Sequence, residues 1–125
     1  MSTPSTTHPT SNYPVTLPRI EIHWCQQCRW MLRAAYYAQE LFSTFGPSIG
    51  ELALIPTTGG IFTINLLHIP QSSSSSSPTS QKPEKTIIWD RKSDSGFPET
   101  KILKQRIRDL IEPSKDLGHS DSKDK

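Results

Sequence analysis

The sequence predicts an α/β sandwich with the element order β-α-β-β-β-α and a mixed sheet. Three observations carry this. Period-two alternation over Arg19 to Trp24 runs straight into a helical period over Arg29 to Phe45. Three further runs rich in Ile, Leu and Thr follow. A second helical stripe then closes the chain near Pro113.

The elements follow in order. Arg19-Ile20-Glu21-Ile22-His23-Trp24 puts Ile20, Ile22 and Trp24 on one face of a strand. In the helix that follows, Met31, Ala34, Ala35, Ala38, Leu41, Phe42 and Phe45 recur at helical spacing and predict one buried stripe. Gly46-Pro47 should stop it, because Gly accepts a left-handed cap and Pro cannot continue a helix. Glu51 to Ile55 reads as the second strand and Pro56-Thr57-Thr58-Gly59-Gly60 as a turn. Ile61 to Ile69 reads as the third strand and Thr86 to Asp90 as the fourth. Pro98 and Glu99 suit the first turn of the last helix. Its stripe is Ile102, Leu103, Ile107, Leu110 and Ile111.

This order implies a parallel pair for the first two strands, joined by the first helix. The third and fourth strands pair most simply as an antiparallel hairpin. Their connection, Pro70 to Lys85, contains six consecutive serines. Hairpin loops usually have about two to five residues, so it reads as an insertion. Residues 1–18 and 114–125 are polar and read as disordered tails around one domain at 19–113. Roughly 80 residues remain to build a core, enough for a small independent domain.

The net charge of +2 is too balanced for a nucleic-acid or membrane surface. No run approaches the roughly 18 apolar residues that span a bilayer, and the N-terminus lacks the basic and apolar pattern of a secretory signal. A cytoplasmic location is the expectation, and structural disulfides are rare there.

Against that background Cys25-Gln26-Gln27-Cys28 stands out. Two randomly placed cysteines fall three apart in only on the order of 2% of arrangements, so the spacing marks a working pair. A strand, then C-x-x-C, then a helix is the recipe for a dithiol switch. The first helical turn offers unpaired N–H groups and the positive end of the helix dipole, both of which stabilise a thiolate. Arg29, Arg33 and a protonated His23 would add positive potential. A thiolate attacks a disulfide, a mixed disulfide forms, and the second thiol resolves it. Spacing alone makes Cys25, at the strand–helix junction, the more exposed thiol and the nucleophile. Cys28, one turn in, becomes the resolver. Trp24, Gln26, Thr58 and Gly59 are the candidate substrate-binding residues, the last two through backbone groups offered by their turn. Protein or glutathione disulfides are the expected substrates, with no cofactor.

Two other classes compete. In a redox-regulated binding module the pair would change state without turnover. A structural zinc site would need four ligands, and only two cysteines accompany His8, His23, His68 and His119.

Several blocks together resemble the selenoprotein T/W/H group, also called the Rdx family. They are Ile20 to Cys28, Gln39-Glu40-Leu41 through Phe45, Gly60-Ile61-Phe62, Trp89 to Lys92, Gly96 to Glu99 and Lys101 to Asp109. The resemblance implies a thioredoxin-like fold and thiol-based redox chemistry at Cys25 and Cys28. Selenoprotein members carry selenocysteine at the second position, where this chain has Cys28, so no selenium is expected. A selenol there would be the stronger nucleophile, so the resemblance favours Cys28 as the attacking group. The order of attack stays open between the two readings. The Ser-rich segment departs from the short turn usual in the family, and loop closure tolerates it because its cost rises slowly with length.

Overall fold

The computed structural model describes residues 14–70 and 82–118. Most of the expected tails and of the Ser-rich insertion lies outside the described residues, as do His8 and His119.

Among the described residues the strands and α-helices are β1 (Arg19–Cys25), α1 (Met31–Phe45), β2 (Glu51–Thr57), β3 (Phe62–His68), β4 (Glu84–Asp90) and α2 (Thr100–Ile111). They form the expected mixed four-stranded sheet, in the order β2-β1-β3-β4. β1 is internal and parallel to β2, with α1 as the crossover between them. The β1–β3 and β3–β4 pairs are antiparallel. The fold is thus a thioredoxin-like α/β arrangement with two helices.

Register explains the core. Ile20 lies between Leu52 and Leu66, and Ile22 between Leu54 and Ile64. Strand side chains alternate between faces, so these two rows share one face. Both helices pack there. Ala34, Tyr37, Leu41 and Phe45 from α1 and Leu103, Ile107 and Ile111 from α2 join Ile20, Ile22, Ile64 and Leu66 in one cluster. Full burial of each Ile or Leu contributes about 1.5–3 kcal/mol. The Tyr37 hydroxyl donates to the Pro98 carbonyl at 2.6 Å and ties α1 to the start of α2.

Several boundaries differ from the expectations. α1 begins at Met31 rather than Arg29, because Arg29 is left-handed (φ 61°) and cannot continue into a helix. α2 begins at Thr100; Glu99 is extended and stands just before it, so Pro98 lies outside the first turn. β4 starts two residues early, at Glu84, and a register shift sits opposite Ile64 and Asn65. Hydrogen bonds reach residues just beyond both edges of 19–113. The Gly50 amide donates to the Pro18 carbonyl at 2.8 Å, and Arg108 donates to the Lys115 carbonyl at 2.8 Å. No described helix is long and apolar enough to cross a membrane.

Candidate functional site

The site is the mouth between β1 and α1. Cys25 is the last residue of β1, and Gln26 to Arg29 form the turn that leads to the helix. Local hydrogen bonds hold that turn. The Gln26 amide donates to the Thr57 carbonyl at 2.8 Å and the Arg29 amide to the Gln26 carbonyl at 3.0 Å. The Trp30 amide donates to the Cys25 carbonyl at 3.3 Å, and the Thr57 hydroxyl donates to the Trp24 carbonyl at 3.0 Å.

Two sequence expectations are corrected here. Cys25 is fully buried and Cys28 is exposed, the reverse of the predicted order. Cys25 still belongs to the internal strand, whereas the turn swings Cys28 outward. The cysteines also precede the helix instead of occupying its first turn. Cys28 stands three residues before Met31, so the helix dipole, which falls off within a turn, acts on it weakly.

Backbone amides of the neighbouring turns supply the stabilisation instead. The Cys25 Sγ accepts from the Cys28 amide and from the Gly60 amide, each at 3.3 Å. The Cys28 thiol is a third donor. That side-chain bond, with the Gly60, Cys28 and Gln27 amides, outweighs desolvation and holds Cys25 below the usual thiol range. Cys28 is pushed up, first by giving its hydrogen to Cys25, then by desolvation and the Cys25 charge. The first proton lost by the pair therefore comes from Cys25, and the charge rests on the buried sulfur.

Gly60 reaches Cys25 because the turn before β3 is left-handed at two successive residues, Gly59 (φ 79°) and Gly60 (φ 73°). Glycine takes that conformation without steric cost. Arg91, just past β4, holds the same turn. Its Nε donates to the Gly60 carbonyl at 3.3 Å, and its amide donates to the Phe62 carbonyl at 2.9 Å. Its guanidinium lies 5.0 Å from the Trp30 ring centroid, and its charge favours ionisation of Cys28. Trp30 and Phe62 each pack edge-on against Phe97, with centroids 4.9 and 5.2 Å away, and form the floor behind the turn.

Gln26 and Thr58 come together with Pro56 and Thr57 around a shallow cavity of about 200 Å³. Gly59 is exposed in the adjoining turn, but Gly60 provides the amide that reaches sulfur. Trp24 is half-buried against the core, and its indole N–H is buried without a partner. His23 turns to Glu21, with Nε2 to Oε1 at 3.3 Å, and not to the thiols. Among the described residues no group of three or more His, Cys, Asp or Glu could hold a metal. Sequence reasoning missed Gly60 and Arg91 as parts of the site. The Gly59-Gly60 pair was the available signal for the first. Arg91 had none except its place in a block of family resemblance.

A mixed sheet with two helices, and a close cysteine pair where the internal strand ends, define a thioredoxin-like protein of the redox-associated class. Residues 19–109 match the sequence model of the Rdx family, and the chain belongs to that family. It is similar to a solved protein of Bordetella parapertussis at 47% identity and a TM-score of 0.56, over 73% of this chain and 94% of that one. It is also similar to a selenoprotein W-related protein of Vibrio cholerae at 45% identity and a TM-score of 0.58, over 75% and 96% of the two chains. The comparison with curated proteins gives no match.

Proposed function

We propose that the protein is a thiol–disulfide oxidoreductase of cell redox homeostasis, acting on protein or glutathione disulfides through Cys25 and Cys28. One observation carries this reading: a buried Cys25 sulfur held by two amides within hydrogen-bond reach of an exposed Cys28 thiol.

The division of labour follows from access. A fully buried sulfur cannot approach a protein disulfide in line, so Cys28 attacks and Cys25 resolves. Cys28 Sγ bonds to one substrate sulfur, its proton passes to the Cys25 thiolate, and the other substrate sulfur leaves as thiolate. That leaving thiolate takes the proton back from Cys25. Cys25 Sγ then attacks Cys28 Sγ and expels the second substrate thiolate. The products are the Cys25–Cys28 disulfide, one thiol and one thiolate. Two electrons have passed from the protein to the substrate. The amides on Cys25 keep its sulfur ionised for the second step. A dithiol that must be reduced again suits a reducing compartment, so the activity belongs in the cytoplasm.

The test is a redox titration in glutathione buffers, read by thiol alkylation and mass spectrometry. A two-electron transition between about −300 and −150 mV is expected. Absence of an intramolecular disulfide across that range overturns the dithiol mechanism.

A further inference from the structure

The outward face of α1 carries more apolar surface than a solvated helix needs. Leu32 is 82% exposed, Tyr36 50% and Met31 45%, while the opposite stripe fills the core. Leu32 and Tyr36 stand four apart, so their side chains form a ridge. Together with Arg29, Trp30, Arg33 and Gln39 they line an open groove of about 570 Å³. Arg29 follows the exposed Cys28 directly, so the groove's lining begins one residue from that cysteine. Among the described residues no carboxylate lines it. Arg33 is fixed at its edge by stacking 3.9 Å from the Phe97 centroid. The nearby Glu40 carboxylate is engaged by Lys104 at 3.0 Å.

We propose that this groove docks the chain segment flanking the substrate cysteine, and that this segment is acidic and apolar. One large aliphatic or aromatic side chain would cover Leu32 and Tyr36, and one or two carboxylates would meet Arg29 and Arg33. This rests on the dithiol reading and narrows its substrates to protein disulfides. Charge complementarity selects the occupant. A second copy bound about this face would be isologous. It would bring four arginines, two from each copy, into one interface with no carboxylate in either groove to offset them. Glutathione brings carboxylates but no large apolar side chain for the ridge. Docking beside Cys28 raises the local concentration of the scissile disulfide. The reaction is unchanged: Cys28 Sγ bonds to the peptide sulfur, the other sulfur leaves as thiolate, and the Cys28 proton passes to Cys25.

The test uses the reduced full chain and three oxidants. One is a disulfide-linked peptide with Leu and Glu beside its cysteine. The second has Leu and Lys there. The third is bis(2-hydroxyethyl) disulfide, which has no flanking chain. We expect the Glu peptide to react about tenfold faster than the Lys peptide, a difference of roughly 1.4 kcal/mol, and the gap to shrink with salt. Leu32→Asp should abolish that preference. Ile87→Asp, on exposed Ile87 of β4, should leave it intact. Equal peptide rates alongside a normal reaction with bis(2-hydroxyethyl) disulfide overturn the docking proposal and leave the dithiol reading standing. Reaction with none of the three overturns both.

Discussion

At the residue scale the two thiols are unlike in a way that can be titrated. Cys25 sits low because the Cys28 thiol and the amides of Gly60, Cys28 and Gln27 favour its charge. Cys28→Ala removes the side-chain donor, so the Cys25 pKa should rise toward the ordinary thiol value of about 8.5. Cys25→Ala removes the charge and the acceptor that raise Cys28, so the Cys28 pKa should fall relative to its value in the pair. Ultraviolet absorbance of the thiolate against pH, in each single variant, reads both directions. Unchanged values would reject the shared proton. Arg91 acts through Gly60 and is a positioning residue. Arg91→Met loosens the Gly60 turn and removes a charge that favours the Cys28 thiolate. The reduced form then loses stabilisation, and the reduction potential should shift to a more negative value. Arg91→Lys keeps the charge without the planar fork, so it should fall between wild type and Arg91→Met. A merely structural role for Arg91 would lower the melting temperature and leave the potential in place.

At the scale of elements all six were legible, β1 and the two helices from their period and the other three strands from short apolar runs. Ile20 and Ile22 alternate, Ala34, Leu41 and Phe45 repeat, and Leu103, Ile107 and Ile111 do the same at the other end. Their boundaries were not, where one backbone angle overrides the pattern. Arg29 has good helix propensity, so nothing in its type announces φ 61°. That single angle moved the start of α1 from Arg29 to Met31, further from the cysteines. Gly60 and Arg91 escaped for a different reason. They reach the thiols through tertiary contacts over 35 and 31 residues of chain, to Cys25 and Gly60 respectively, and such distances leave no local pattern. The bond from α1 to the residues that lead into α2 tests the packing. Tyr37→Phe deletes only the hydroxyl that bonds Pro98. It should cost about 1 kcal/mol, whereas Leu103→Ala, at a fully buried position, should cost about 2–5 kcal/mol. Urea unfolding of both variants checks the ranking. Equal midpoints would mean that α2 packs more loosely than its burial indicates.

On the scale of the whole molecule the sheet has two unlike faces. Helices cover the one with Ile20 and Ile22; the other carries Arg19, Glu21 and His23 on β1. Glu21 is the centre of that polar face. It accepts from Arg19 at 3.1 Å, lies 3.3 Å from His23 Nε2, and has Lys85 of β4 at 3.6 Å. Arg19 also bonds Glu51 of β2, so one charge network crosses three strands of the sheet. Burial pushes Glu21 up, but the bonds from Arg19 and His23 and the charges of Lys85 and Arg19 outweigh it, so its pKa lies below the ordinary 4.5. A carboxyl with a lowered folded-state pKa binds fewer protons folded than unfolded as the solution is acidified. Its contribution is therefore complete above the unfolded value and is lost as pH falls through the folded one. Glu21→Gln removes that linkage. The variant should be less stable than wild type at neutral pH, and the gap should narrow as pH drops below about 4.5. Urea denaturation at a series of pH values measures it. A gap that stays constant down to acid pH would show that Glu21 contributes through packing alone, and that the charge network does not couple the three strands.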